Sequence, residues 1–407
     1  MGIRVNSEIK KLKKVLLHRP GGELLNLTPD SLGKLLFDDI PFLEVAQREH
    51  DEFASILKNN GVSVVYLEDL MAEVLKMYPE VREKFIKQFI REAGIKTPKY
   101  KSEVYEYLNG FQDEKELVLS TMEGININEL HAMERDIEHS LIDFTSGESK
   151  FLADPMPNLV FTRDNFASIG QGISLNRMYS VTRNRETIYA DYIFQYHPDY
   201  KGTVKYYDRD FPYHIEGGDI LVLNDHTLAI GISQRTESES IEQLAINMFR
   251  DDECKFDTIL AFNIPSSRAF MHLDTVFTQI DYDKFTFHPG IMDTLQVFEI
   301  KQGDEELIDV KEIKDSLESI LTKYIGHNIV LIPCGGGDKV ISEREQWNDG
   351  SNTLCIAPGT VIVYDRNNIT NAVLRRYGIK VLEMHGSELS RGRGGPRCMS
   401  MPLERED

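Results

Sequence analysis

The segment DGSNTLCIAPGTVIVYDRNNIT at residues 349–370 reads as two apolar strands folded about Pro358-Gly359 and then a helix. The helical spacing runs on to Gly378, a stop signal, and residues 379–383 return as a strand. The same order recurs upstream. One copy begins at Asp164 (DNFASIGQGISL) and ends in Arg183-Asn184-Arg185-Glu186-Thr187. Another begins at Glu216 (EGGDILVLNDHTLAIGI) and ends in Gln234-Arg235-Thr236. Acid and arginine are 19 residues apart in both, Asp164 to Arg183 and Glu216 to Arg235. Residues 272–288 look like a fourth copy. The N-terminal strand, helix and strand (12–19, 42–59 and 62–67) look like a fifth. Such a unit cannot bury both its faces alone, so the copies are expected to pack around a common centre. Acids at one point of each unit then converge there.

Residues 71–150 have another texture. They are rich in Glu, Lys, Leu and Ile at helical spacing, as in 78–93 and 114–122, and glycine is sparse. They read as a helical insertion. The expected division is therefore 1–70 with 151–407 as the catalytic α/β part, and 71–150 as the insertion.

Composition narrows the functional class. Asp and Glu number 66 against 46 Lys and Arg, a formal charge of −20. Clustered positive charge for nucleic acid or an anionic membrane is therefore not expected, whereas a cationic ligand is compatible. The N-terminus lacks an apolar core of signal-peptide length and no later run spans a bilayer, so a cytoplasmic protein is expected. Four cysteines in 407 residues make no disulfide framework.

Each cysteine then needs its own account. Cys355, in an apolar strand, reads as core, and Cys254 as a loop residue among acids. Cys334, before Gly335-Gly336-Gly337, fits strand-end packing and stays a second nucleophile candidate. Cys398 follows Arg391, Arg393 and Arg397 and three glycines, Gly392, Gly394 and Gly395. Those arginines are expected to gather positive charge around the sulfur and favour the thiolate. His272 and Asp274 share one face if their segment is a strand, and His214 and Glu216 repeat the spacing. A histidine beside a carboxylate suits proton transfer, but a zinc site or a structural histidine fits the pattern too. Asp164, taken singly, fits a turn or cap.

Together these segments resemble the bacterial arginine deiminases of the guanidine-modifying (pentein) superfamily. The likeness runs through KKVLLHRPG (13–21), LLFDDIPFL (35–43), DPMPNLVFTRD (154–164), HIEGGD (214–219), MHLDTVFT (271–278), REQWNDGSNTL (344–354) and HGSELSRGRGGPRCMSMPL (385–403). It implies a five-module ββαβ propeller of pseudo-fivefold arrangement, with 71–150 as the helical insertion. It also implies hydrolysis of free L-arginine to L-citrulline and ammonia, without cofactor or metal, in a homodimer or homotetramer. By motif, Cys398 is the nucleophile, Asp164 and Asp274 grip the guanidinium, and His272 and Glu216 manage protons. Arg183 and Arg235 hold the substrate carboxylate, Asn158 and Phe161 shape the pocket, and Arg393 lines its mouth. Arg393 is expected to swing inward onto an acid until substrate displaces it.

The chemistry asks for such a set. A guanidinium is a planar cation with five donors, met best by carboxylates side-on. Two acids fix its plane and leave the carbon face open to sulfur.

Overall fold

The computed structural model describes residues 2–131, 151–265, 270–291, 295–304 and 307–407. Five sheets repeat one local order: an antiparallel pair, a helix, then a strand parallel to the second member of the pair. In the segment quoted first, Leu354–Ala357 pairs antiparallel with Thr360–Tyr364, and Asn368–Arg376 is the helix. Lys380–Met384 then returns parallel, with Tyr364 opposite Met384. The turn is tight because Gly359 takes a φ of +68°, open to glycine at little cost.

The unit after Asp164 uses Phe166–Ile169, Gly172–Leu175 and Lys205–Tyr207, with the helix Thr187–Tyr196 between the last two. The unit after Glu216 uses Ile220–Val222, Thr227–Ile232, the helix Ser238–Phe249 and Thr258–Asn263. The fourth has Phe277–Gln279, Lys284–Phe287, the helix Leu317–Ile325 and Val330–Pro333. In the fifth, Leu12–Leu17 pairs antiparallel with Met401–Arg405 and parallel with Ser63–Tyr66, across the helix Leu43–Asn59.

Two features differ from the sequence reading. A hairpin of Gln296–Gln302 and Ile308–Ile313 leaves the fourth unit and adds to the outer edge of Thr258–Asn263. And His272 with Asp274 is not a strand. His272 caps one helical turn, Leu273–Val276, and the strand starts only at Phe277. The Leu273 amide donates to Asp219 Oδ1 at 2.8 Å, and the Thr275 hydroxyl to the His272 carbonyl at 2.6 Å. These bonds offer the backbone an alternative to the ladder, and the turn wins locally.

Between residues 67 and 123 the chain forms helices at Leu67–Met77, Pro79–Glu92, Pro98–Gly110 and Glu114–Glu123. Their apolar faces (Met71, Val74, Phe85, Phe89, Val118) join one core with Phe166, Ile169, Tyr189 and Tyr192 of the neighbouring unit. The expected insertion continues to residue 150, but 132–150 lie outside the described residues.

Candidate active site

Cys398 lies where the glycine-rich loop re-enters the core, three residues before Met401–Arg405. Close packing fixes it there. A Cβ on Gly395 would stand 2.7 Å from the Asn352 carbonyl oxygen, and one on Gly394 would stand 2.3 Å from the Phe161 ring. The Cys398 amide donates to Asn352 Oδ1 at 3.1 Å, and its carbonyl accepts from the Arg163 amide at 3.1 Å. The sulfur is buried, 3.8 Å from Asp274 Oδ2.

Its surroundings correct the expected arginine cage. Arg391 pairs with Asp39 and Glu388. Arg393, in the left-handed region at φ +62°, lies 3.5 Å over the Trp347 ring and 3.4 Å from Asp38. Arg397 turns away to Glu8 and to Asp274. Long side chains reach well beyond their chain neighbours, so adjacency in sequence does not set the local field. Burial, then Asp274, Asp164 and Asp349, push the Cys398 thiol well above its usual range.

Asp164 and Asp274 each keep one oxygen without a hydrogen bond. Asp274 Oδ2 accepts from Arg397 Nη1 at 2.7 Å, and Asp164 Oδ2 from Arg183 Nη1 at 3.1 Å. The Oδ1 atoms of both are buried without a hydrogen bond among the described residues. Each such orphan costs about 1–3 kcal/mol, and two beside one sulfur mark a place made to receive donors.

His272 Nε2 meets Glu216 Oε2 at 2.8 Å, and its Nδ1 is 3.9 Å from Asp164 Oδ1. The imidazole lies against Gly218, where a Cβ would come within 2.7 Å of the ring. Burial pushes the His272 pKa down, but Asp164 and the bond to Glu216 win and raise it to about 9. Burial pushes Glu216 up, but Arg235, His272 and Arg183 hold its carboxyl well below the usual range. The 19-residue spacing is a contact in both units: Arg183 meets Asp164, and Arg235 Nη1 is 3.6 Å from Glu216 Oε2. Arg183 also lies 3.7 Å from Glu216 and grips Glu186 at 2.9 Å.

A stability prediction follows. His272 carries a folded pKa of about 9 against an ordinary 6.5, so its ion pairs stabilise fully below pH 6.5 and fade as pH rises through about 9. Across that interval the thermal midpoint of the wild type should fall more steeply than that of His272→Gln, by calorimetry at each pH. Parallel slopes would mean the imidazole is uncharged.

Among the described residues, Asp164, Glu216 and His272 form the one group with metal-ligand geometry, their donor atoms lying within 4.8 Å of one another. Arg183 and Arg235 already stand within 3.7 Å of the same two carboxylates. A divalent cation there would face two fixed positive charges, so the set does not fit one.

Asn158 and Phe161 line the loop side. The Asn158 amide donates to the Leu35 carbonyl at 2.6 Å, and Phe161 stacks on Phe37 at 6.5 Å. The Arg235 guanidinium lies 5.5 Å from the centre of the Tyr179 ring. Thus Cys398, Asp164, Asp274, His272, Glu216, Arg183 and Arg235 form one buried cluster, and Arg393 is held over Trp347.

Sequence reasoning assigned no role to Glu186 or Asp349, and it placed Arg397 beside the sulfur rather than on Glu8 and Asp274. Asp349 is buried at φ +61°, and burial pushes its carboxyl up to about 7. The Asp-Gly turn at 349–350 was its only signal. Outside the site, no helix among the described residues is long and apolar enough to cross a membrane.

Comparison with known proteins adds to this geometry. A family model for arginine deiminase matches residues 33–405. Arginine deiminase of Treponema denticola is 60% identical over 408 residues, spanning 100% of this chain and 99% of that protein. Arginine deiminase of Clostridium perfringens is 55% identical over 410 residues, covering 100% and 98%. Among solved structures, dimethylarginine dimethylaminohydrolase of Pseudomonas aeruginosa, complexed with citrulline, superposes with a TM-score of 0.51 at 15% identity, over 96% of this chain and 99% of that one. SxtG, an amidinotransferase of Microseira wollei, gives 0.54 at 16% identity over 100% and 98%. At such identities the structural likeness speaks for the fold alone, a mixed α/β architecture that the chain shares with these two proteins.

Proposed function

The chain belongs to the arginine deiminase family, and from that premise we propose that it hydrolyses free L-arginine to L-citrulline and ammonia through a covalent amidino-cysteine. The observation that carries this reading is the pair of buried Oδ1 atoms on Asp164 and Asp274 that accept no hydrogen bond among the described residues, while Asp274 Oδ2 stands 3.8 Å from the Cys398 sulfur. A guanidinium laid between them satisfies both oxygens with charge-assisted bonds and presents its carbon face to sulfur.

The resting thiol is held in its protonated form by burial and by the anions Asp274, Asp164 and Asp349. An arriving cation reverses that field, so the thiol proton leaves to solvent as substrate binds. The thiolate then adds to the guanidinium carbon. His272, protonated near neutral pH, gives its proton to one terminal nitrogen, and ammonia departs. The imidazole, now neutral, takes a proton from water, whose oxygen adds to the amidino carbon. Collapse expels the thiolate and leaves the ureido group of citrulline. Glu216 orients His272 and stabilises its charged form.

Arg183 and Arg235 are assigned to the α-carboxylate, and Asn158, Phe161 and Arg393 to the pocket and its mouth. Arg393 would turn from Trp347 onto an acid when the pocket is empty. For the architecture, we propose that the five sheets close around one pseudo-fivefold axis. Residues 1–70 and 151–407 then form the catalytic propeller, with 71–150 inserted. Self-association into dimers or tetramers and cytoplasmic residence belong to the proposal on the family's account alone.

The test offers arginine and agmatine and assays citrulline and ammonia. Agmatine lacks the carboxylate assigned to Arg183 and Arg235 and forfeits that charge-assisted contact, so its kcat/KM should be lower by about 10³-fold or more. Turnover of agmatine in preference to arginine would overturn the substrate assignment.

A further inference from the structure

Glu8 lies outside the reaction just described, yet it is among the most heavily engaged acids in the core. It is 7% exposed, on the segment leading into Leu12–Leu17. Its Oε1 accepts from the Val222 amide and from Arg397 Nη2, both at 3.1 Å, and its Oε2 from Arg397 Nε at 3.1 Å. Arg397 Nη2 also donates to the Ile220 carbonyl at 2.9 Å. Three of the guanidinium's five N–H groups are thereby engaged, and Nη1 is turned to Asp274 Oδ2, at 2.7 Å. Asp274 Oδ1 is left without a hydrogen bond.

We propose that Glu8 is a positioning residue for this reaction: it clamps Arg397 so that the guanidinium holds Asp274 by one oxygen and leaves the other to the substrate. The idea rests on the functional reading above. A guanidinium meets a carboxylate best through two parallel bonds. Without Glu8, the freed fork of Arg397 would close on both oxygens of Asp274 and compete with arginine for Oδ1. With Glu8 in place, the fork is already spent. Charge works in the same direction. Glu8 neutralises Arg397 and stands beside Arg163 and Arg405, and these cations, outweighing burial, hold its carboxyl down at about 2. Glu8 is therefore ionised at any working pH, and the clamp does not switch.

The test is Glu8→Gln, which keeps the shape and removes the charge. Two readouts are needed, because lost stability alone would lower activity. The first is steady-state kinetics on arginine: KM should rise, and kcat/KM should fall by about 100-fold, the scale expected for a misplaced reacting group. The second is the pH dependence of Cys398 alkylation by iodoacetamide in the substrate-free enzyme. The sulfur faces Asp274, Asp164 and Asp349. An unneutralised Arg397 behind Asp274 offsets part of that field, so the alkylation midpoint should move to lower pH.

A lower melting temperature with unchanged KM and an unchanged midpoint would overturn the clamp. Should Glu8→Gln not fold, Glu8→Asp carries the question, since it keeps the charge and withdraws the carboxylate by one methylene. It should lose about tenfold in kcat/KM, and wild-type kinetics there would overturn the clamp as well. A wild type that makes no citrulline would count against the functional reading. The shift in the alkylation midpoint would still report on Glu8.

Discussion

Cys398→Ala should lower arginine turnover by about 10⁴-fold or more while leaving the fold and its melting temperature close to the wild type. The side chain is buried, but it is small, and its backbone is held by Asn352 and Arg163 rather than by the sulfur. Alanine removes a nucleophile and one contact with Asp274. It also removes a thiol whose ionisation the surrounding acids oppose. Arginine should therefore still bind, with the two pins intact. Mass spectrometry supplies the positive counterpart: wild-type enzyme quenched in turnover should show an added amidino mass on the Cys398 peptide. If Cys398→Ala retains a tenth of the activity, the covalent route is wrong. Cys334 is no substitute, being packed against Thr370 at 3.4 Å with its thiol pushed up to about 11 by burial.

Asp274→Asn is the second large effect, and it should move two measurements in opposite directions. The substitution keeps the size and hydrogen-bonding reach of the side chain. It removes an anion from beside the sulfur, one guanidinium acceptor, and the charge partner of Arg397. Losing a charged partner at the reacting centre is worth about 10²–10³-fold, and a displaced Arg397 adds to it, so kcat/KM for arginine should fall by about 10³-fold. The free thiol should meanwhile become easier to ionise, and iodoacetamide should alkylate it faster at neutral pH than in the wild type. A role limited to holding the fold predicts loss in activity without any gain in thiol reactivity. Slower alkylation in Asp274→Asn would refute the electrostatic account of this site.

The repeating hairpin, helix and return strand was legible because its signals are local. Pro358-Gly359 forces a turn, apolar runs fill strands on either side, and Gly378 stops the helix. The equal spacing of Asp164 with Arg183 and Glu216 with Arg235 was legible because each unit places its acid and its arginine in the same relation. What failed was any inference that treated neighbours in sequence as neighbours in charge. Arg391, Arg393 and Arg397 point to Asp39, Asp38 and Glu8, all supplied by the first 40 residues. The strand expected at His272 failed for a subtler reason, since Asp219, far off in sequence, caps the turn that replaces it. The hairpin of Gln296–Gln302 and Ile308–Ile313 was missed because its second strand is mostly exposed, and the short apolar alternation of Ile308 and Val310 breaks at Glu312. The family likeness supplied the residue roles, which no spacing could have assigned.

Met401–Arg405, just beyond Cys398, is laced to Leu12–Leu17, with Met401 opposite Leu16. The early segment also delivers Glu8 and Asp38 to the loop that carries the sulfur. Pairing so distant along the chain is slow to form, because a large loop must close before any contact rewards it. A chain still emerging from the ribosome should therefore be inactive until its last residues pair with its first. Nicking that C-terminal strand should likewise extinguish turnover before it unfolds the rest.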